Sequence, residues 1–112
     1  MRSKSEIIIA DHLRRYGVVY KYEKPLELTV HGRRVTFYPD FTVMNSRTGR
    51  IYYLEHFGMM DNEDYYNAVL RKLDAFEMNQ LLIGRDVLLL HESSSAPLNT
   101  RVLDCYIQEY LV

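Results

Sequence analysis

A helical pattern between two apolar strand patterns is the feature that most restricts the folds open to this chain. The first apolar stretch, RIYYLEHF, spans 50–57, and the second, DVLLLHE, spans 86–92. Between them, DNEDYYNAVLRKLDAFEMN places apolar residues three and four positions apart, which is typical of an amphipathic helix. A helix between two strands allows a parallel crossover, so we expect a mixed sheet with helices packed on its faces.

The remaining segments extend this pattern at both ends. Ser3 or Ser5 can cap a first helix that ends at Gly17. VVYKYE, interrupted by Pro25 and continued by LELTV, indicates a first strand, and VTFYPDFTVMN indicates a long second strand after an HGRR turn. NTRVLDCYIQEYLV indicates a closing helix. We therefore expect one domain over 1–112 of the α/β (α+β) class, with the order α-β-β-β-α-β-α.

Two finer expectations concern the second and third helices. Asp61 precedes the second helical pattern and is a candidate N-cap. Cys105 lies in the closing helix, where a small core residue is the simplest interpretation. Val102 belongs to the apolar residues expected on the inner side of that helix.

Composition narrows the class of protein. The 112 residues carry a formal net charge of −1, which weighs against a protein that passively coats nucleic acid but not against an enzyme whose carboxylates hold cations. No apolar run approaches the roughly 18 residues of a membrane span. The N-terminus lacks a signal-peptide pattern and one cysteine excludes an internal disulfide, so we expect a cytoplasmic protein. A domain excised from a longer chain fits the same observations.

Carboxylates occupy unusual places in the strand patterns. Glu55 lies inside an apolar strand, where an uncompensated charge is costly, and Asp40 follows Pro39 in the middle of the preceding strand. If these strands form a hairpin centred between residues 47 and 48, Asp40 and Glu55 lie side by side. Two like charges at that distance repel, so either one acid takes up a proton or a cation lies between them. A hard divalent cation with oxygen ligands, Mg²⁺ or Mn²⁺, is the simplest partner.

A lysine and a third carboxylate can join this pair. Lys72 lies between Val69 and Phe76, at the border of the inward face of the second helix, so its ammonium can reach the carboxylates. Glu6 lies in the first turn of the first helix. Around a metal that activates water, such a lysine can orient the water or stabilise developing charge.

The stretch YPDF, followed by YYLEHFG within the predicted α-β-β-β-α-β-α order, resembles the PD-(D/E)XK nuclease superfamily, which has the restriction-endonuclease-like fold. SKSE, YEKPL and the EHFGM…Y…K run are similar to one branch, and the resemblance covers nearly the whole chain. It implies that Asp40 is the Asp of the PD motif, that Glu55 is its (D/E), and that Glu6 is the helical Glu of the resolvase-like branches. It also implies that the carbonyl of His56 completes the metal shell.

One position departs from this family. Phe57 stands where the family has its lysine, and in some branches that lysine has moved to the following helix, which here makes Lys72 the candidate. The resemblance implies a Mg²⁺- or Mn²⁺-dependent endonuclease acting on DNA, with RNA not excluded. The alternative is an inactive module that binds nucleic acid or a protein partner. A homodimer, or a domain of a larger helicase-like or repair protein, also remains open.

Other polar residues have simpler interpretations. Strand alternation points the side chain of His56 away from Glu55, so we expect a packed, hydrogen-bonded histidine rather than a catalytic imidazole. The remaining histidines show no metal-ligand spacing, which gives a zinc site little support. Four arginines cluster at turns, where they can contact phosphates or form a solvated rim: Arg33, Arg34, Arg47 and Arg50.

Overall fold

Three α-helices and six strands make up the part of the chain that the computed structural model describes, residues 3–59 and 61–112. In chain order they are α1 (Lys4–Arg15), β1 (Val19–Tyr22), β2 (Leu26–Val30), β3 (Arg33–Phe37), β4 (Phe41–Met44), β5 (Ile51–Phe57), α2 (Glu63–Met78), β6 (Val87–His91) and α3 (Thr100–Tyr106). A π-helical turn over Ile107–Leu111 continues α3.

The main sheet has four strands in the order β1-β4-β5-β6. β4 pairs antiparallel with both β1 and β5, whereas β5 pairs in parallel with β6. The chain reaches β6 from β5 through α2, as the strand–helix–strand pattern requires. The predicted parallel crossover and mixed sheet are therefore confirmed. No helix among the described residues has the length and apolar character needed to cross a membrane.

The prediction of one long strand over 35–45 is wrong. β3 ends at Phe37 and pairs with β2 in a separate two-stranded sheet, while β4 begins at Phe41 in the main sheet. Pro39 lies between them and has no N–H to donate to a ladder, so it separates the two strands. Pro25 likewise lies between β1 and β2. The observed order is thus α-β-β-β-β-β-α-β-α, which adds two strands to the prediction.

Apolar side chains cover both faces of the main sheet. On one face, α1 and α3 pack against β4, β5 and β6, and Ile9, Leu13, Leu54 and Ile107 are fully buried there. On the other face, α2 packs with the β2–β3 hairpin around a second cluster that contains Phe76. The face that carries α2 is the one that carries the candidate site.

The ends of the helices agree in part with the sequence. Ser3 caps α1, where its hydroxyl accepts a hydrogen bond from the Glu6 amide at 3.2 Å, and Gly17 follows the helix with a φ of 71°. The predicted cap of α2 is wrong: Asn62, rather than Asp61, accepts from the amide of Tyr65 at 3.0 Å.

The inward face of α3 also differs from the expectation. Cys105 is exposed and Val102 is 38% exposed, so neither is a core residue. Leu103, Ile107 and Leu111 are buried instead. Each of these residues follows the previous one by four positions, so the three share one helix face, and Cys105 points away from that face.

Candidate functional site

The β4–β5 hairpin brings Asp40 and Glu55 together as predicted. The last pair in the ladder is Phe41 with Leu54, so the next pair in that register is Asp40 with Glu55. Directly opposite residues of an antiparallel pair project from the same face, here the face covered by α2. Glu55 is fully buried, whereas Asp40 remains partly exposed.

Pro39 changes the hydrogen bonding of His56. The Asn45 amide donates to the carbonyl of Arg50, so these two residues form a hydrogen-bonded pair of the β4–β5 ladder. Hydrogen-bonded pairs recur at every second residue of an antiparallel ladder. If the register continued beyond Phe41, Pro39 and His56 would therefore form the next pair of this kind. Proline cannot donate, so β4 offers no amide to the His56 carbonyl. The His56 amide donates instead to Oδ2 of Asp40 at 2.8 Å. The PD sequence thus fixes the Asp40 side chain and leaves that carbonyl without its ladder donor.

Lys72 reaches the carboxylate pair from α2. Its Nζ lies 2.8 Å from Oε2 of Glu55, and its side chain is 24% exposed, so the ammonium lies between a buried acid and solvent. The other oxygen, Oε1 of Glu55, is buried and has no hydrogen-bond partner among the described residues. A buried carboxylate oxygen without a partner is costly, and this oxygen is therefore the clearest indication of a missing ligand.

Burial dominates the ionisation of both acids. It raises the pKa of Glu55 from 4.5 to about 7. The charge and hydrogen bond of Lys72 and the nearby backbone amide of Asp40 act to lower that pKa, whereas the Asp40 charge acts to raise it. Burial also raises the pKa of Asp40, against the His56 amide and the charge of Lys72, and the charge of Glu6 adds to the rise. A bound cation would favour the ionised form of both acids.

A small pocket of about 190 Å³ opens over this pair. Phe57 and Val69 contribute apolar surface to it, and Lys72 contributes its amine. Phe57 is 5% exposed, so the residue at the family's lysine position is part of the packed wall. Tyr65 also lines the pocket, and its hydroxyl accepts a hydrogen bond from the Gly58 amide at 3.0 Å. In the sequence, Tyr65 fits the apolar pattern of an amphipathic helix and carries no separate signal of a site.

Glu6 does not line this pocket. Its carboxylate accepts hydrogen bonds from the hydroxyl of Ser3 at 3.1 Å and from the hydroxyl of Tyr22 at 2.5 Å. Burial first, and then Glu6, raise the pKa of Tyr22, so that hydroxyl keeps its proton for the hydrogen bond. The structure therefore places Glu6 near the pair, since its charge acts on Asp40, but engages both of its oxygens elsewhere.

The side chain of His56 lies on the opposite face of the sheet, as predicted. It is 6% exposed, and its Nε2 lies 2.6 Å from Oε1 of Glu92. The same oxygen accepts from the hydroxyl of Ser5 at 2.5 Å. Glu92 thus connects α1 to β5 beneath the site. Glu92 was not among the predicted site residues, although its place directly after an apolar strand is a signal that the sequence offers.

The chemistry of the donor set fits a hard divalent cation. Asp40 and Glu55 supply carboxylate oxygens, and the His56 carbonyl supplies a third oxygen of the kind that Mg²⁺ and Mn²⁺ prefer. Within residues 3–59 and 61–112, however, no three His, Cys, Asp or Glu side chains are grouped to hold a metal ion. Any such site would therefore rest on two side chains and a main-chain oxygen.

The arginines predicted at turns divide into two kinds. Arg34 pairs with Glu27, and Arg50 pairs with Asp86 at 3.2 Å. Arg33 and Arg47 are exposed and make no ion pair with any described residue. Arg33 and Arg47 therefore have no ion pair to give up on contacting a phosphate, whereas Arg34 and Arg50 would share their guanidinium groups with a carboxylate.

Comparisons with protein-family models, with curated proteins and with solved structures found no match. The resemblance to PD-(D/E)XK nucleases therefore rests on the sequence motifs.

Proposed function

We propose that this chain is a metal-dependent nuclease that hydrolyses phosphodiester bonds in DNA. The observation that supports it most is the convergence of Asp40, Glu55 and Lys72 on one pocket, with Oε1 of Glu55 buried and lacking any described partner. A buried acid that served only structure would be expected to have both oxygens satisfied. The finer fold proposal is a restriction-endonuclease-like arrangement, supported by the acid-bearing hairpin and the parallel crossover through α2.

The cation would be Mg²⁺ or Mn²⁺, held by Asp40, Glu55 and the carbonyl of His56. When bound, it would supply a water of lowered pKa and offset negative charge on a phosphoryl oxygen. Glu6, whose oxygens bind Ser3 and Tyr22, would act on a coordinated water or a second cation rather than line the pocket.

Lys72 supplies the cationic donor that Phe57 cannot. An ammonium has three N–H donors, and one of them is directed to Oε2 of Glu55. The others can orient the attacking water or donate to a phosphoryl oxygen as negative charge develops there. The buried Phe57 keeps water from the inner side of the pair, which strengthens these interactions.

The test is cleavage of labelled DNA, single-stranded and duplex, by the wild type with Mg²⁺ or Mn²⁺ and with EDTA. We expect metal-dependent cleavage that falls at least 100-fold in Asp40→Asn, which keeps an oxygen to accept from the His56 amide. Tyr66→Ala, which changes an exposed side chain on α2, serves as the matched control and should cleave normally. If the folded wild type cleaves no form of DNA or RNA with either metal, the hydrolytic proposal fails.

A second candidate is a non-catalytic module that binds nucleic acid or a protein partner. It is favoured by Phe57 at the lysine position and by the pairing of Lys72 with Oε2 of Glu55, which gives the buried acid a charge partner without any metal. In that case the melting temperature would not respond to divalent metals.

A further inference from the structure

A groove separate from the acidic pocket lies between the β2–β3 hairpin and α2. Its volume is about 570 Å³, within the size range of small-molecule sites. Its lining includes Phe37 at the end of β3, Tyr38 directly after that strand, and Arg71 from α2. Ala68 and Lys72 line both this groove and the acidic pocket, so the two are direct neighbours.

Tyr38 is the unusual residue of this groove. The residue is 54% exposed, and its side chain makes no hydrogen bond or ring contact with any described residue. By contrast, the neighbouring ring of Phe37 packs on Phe76 with centroids 6.4 Å apart. The Tyr38 ring is thus available to a ligand, and an aromatic face is the surface on which nucleobases stack.

The charge at the groove suits a phosphate backbone. Arg71 is exposed and has no ion-pair partner among the described residues. Lys72, at the boundary with the acidic pocket, keeps two N–H donors beyond the one given to Glu55. An aromatic ring flanked by two cations is the combination that single-strand binding sites use.

We infer that this groove binds an unpaired nucleotide of single-stranded DNA, with its base stacked on Tyr38 and an adjacent phosphate held by Arg71. The inference rests on the proposed nuclease function and names its substrate class. A base inside a duplex is already stacked on its neighbours and is not available to a protein ring. The preferred substrate is therefore a single strand or a locally unpaired end, rather than a continuous duplex.

The distance along the chain agrees with this assignment. Tyr38 precedes Asp40 by two residues, so their backbones are at most roughly 7 Å apart. Nucleotides in a stacked strand are about 3.4 Å apart along the axis. A base on Tyr38 would thus lie within one or two nucleotides of the phosphate at the acidic pocket.

The experiment is fluorescence anisotropy with a labelled oligothymidylate and with a duplex of equal length, in EDTA so that cleavage does not interfere. The wild type should bind the single strand more tightly than the duplex. Tyr38→Ala should weaken single-strand binding roughly 5- to 100-fold, whereas Tyr38→Phe, which keeps the ring, should bind within about twofold of the wild type. Arg71→Ala should weaken binding and reduce its salt dependence.

Tyr66→Ala is the matched control, because Tyr66 is an aromatic residue of α2 that is 44% exposed and lies outside the groove. It is two positions from Ala68, so the two side chains point to nearly opposite sides of the helix. Unchanged binding by Tyr38→Ala, equal affinity for the duplex, or no binding by the folded wild type would each overturn the inference. Metal-dependent cleavage that persists in Tyr38→Ala at an unchanged rate and KM would remove the groove but leave the nuclease proposal standing. Single-strand binding that depends on Tyr38, in a protein that cleaves no nucleic acid, would support the groove and overturn the nuclease proposal.

Discussion

The ammonium of Lys72 lies 2.8 Å from Oε2 of Glu55. Glu55 belongs to β5, and Lys72 belongs to α2, the helix that covers the face of the sheet to which Glu55 points. The carboxylate is fully buried, while the lysine side chain keeps 24% of its surface exposed. A buried acid is thereby connected to a cation that still reaches the pocket. This arrangement can serve as a structural ion pair or as part of a catalytic site, and the two roles predict different responses to mutation.

Lys72→Met should destabilise the protein in a pH-dependent way. Without Lys72 the buried Glu55 takes up a proton instead of remaining charged, and at pH 8 this costs about 1.4 kcal/mol because pH 8 is about one unit above its pKa of about 7. At pH 5 Glu55 is protonated, because its pKa is about 7, so the loss should be much smaller there than at pH 8. Urea unfolding at both pH values measures the difference.

Arg71→Met is the control for this variant, because it removes a neighbouring exposed cation that has no ion-pair partner in the described chain. It should change the free energy of unfolding by less than about 0.5 kcal/mol at either pH. An equal loss of stability at pH 5 and pH 8 in Lys72→Met would contradict the assigned ionisation of Glu55.

The stability of the metal-free protein should fall as pH rises from 4.5 to 7. In this window the unfolded chain has released the proton of Glu55, whereas the folded protein still holds it because burial raises its pKa to about 7. The folded state then binds more protons, so the free energy of unfolding decreases with pH. Glu55→Gln should remove most of this slope, and only the smaller contribution of Asp40, whose pKa is also raised, should remain. Urea titrations across the window test this, and an unchanged slope in Glu55→Gln would refute it.

Divalent metal should raise the melting temperature through Asp40. At a metal concentration near 100 times the dissociation constant, the folded state gains about 2.7 kcal/mol, or roughly 10 °C for a domain of this size. Asp40→Asn should abolish the shift and leave the metal-free protein as stable as the wild type or more so, because it removes a partly buried negative charge beside Glu55. Differential scanning fluorimetry with Mg²⁺, Mn²⁺ and EDTA measures it, and a full shift in Asp40→Asn would exclude this ligand.

Glu92→Ala should weaken the connection beneath the site. It leaves the nearly buried imidazole of His56 and the hydroxyl of Ser5 without their shared acceptor, which costs about 1–3 kcal/mol. Glu109→Ala, at an exposed helical position, should change the stability by less than about 0.5 kcal/mol. Chemical denaturation compares the two variants, and equal stability would show that the contacts of Glu92 contribute nothing measurable.

The sequence predicts the centre of this site because its geometry is local. The register of the β4–β5 hairpin follows from its turn, so the pairing of Asp40 with Glu55 could be obtained from the positions of the two acids about the loop. The position of Lys72 follows from helical spacing in the segment that crosses back over the sheet. Both depend on periodicities of a few residues.

What the sequence does not predict depends on distant contacts. The acceptor that Ser5 shares with His56 is Glu92, which is separated from Ser5 by 87 residues. The division of 35–45 into two strands depends on β2 and β3 forming their own sheet against α2, a packing choice that strand alternation cannot reveal. The groove at Tyr38 arises from the same packing.

Anomalous diffraction from crystals grown with Mn²⁺ is the most direct measurement of the central claim. The account predicts one strong manganese peak bound by Asp40, Glu55 and the carbonyl of His56, with the amine of Lys72 beside it. Well-ordered crystals with ample Mn²⁺ and no peak between those two carboxylates would contradict it.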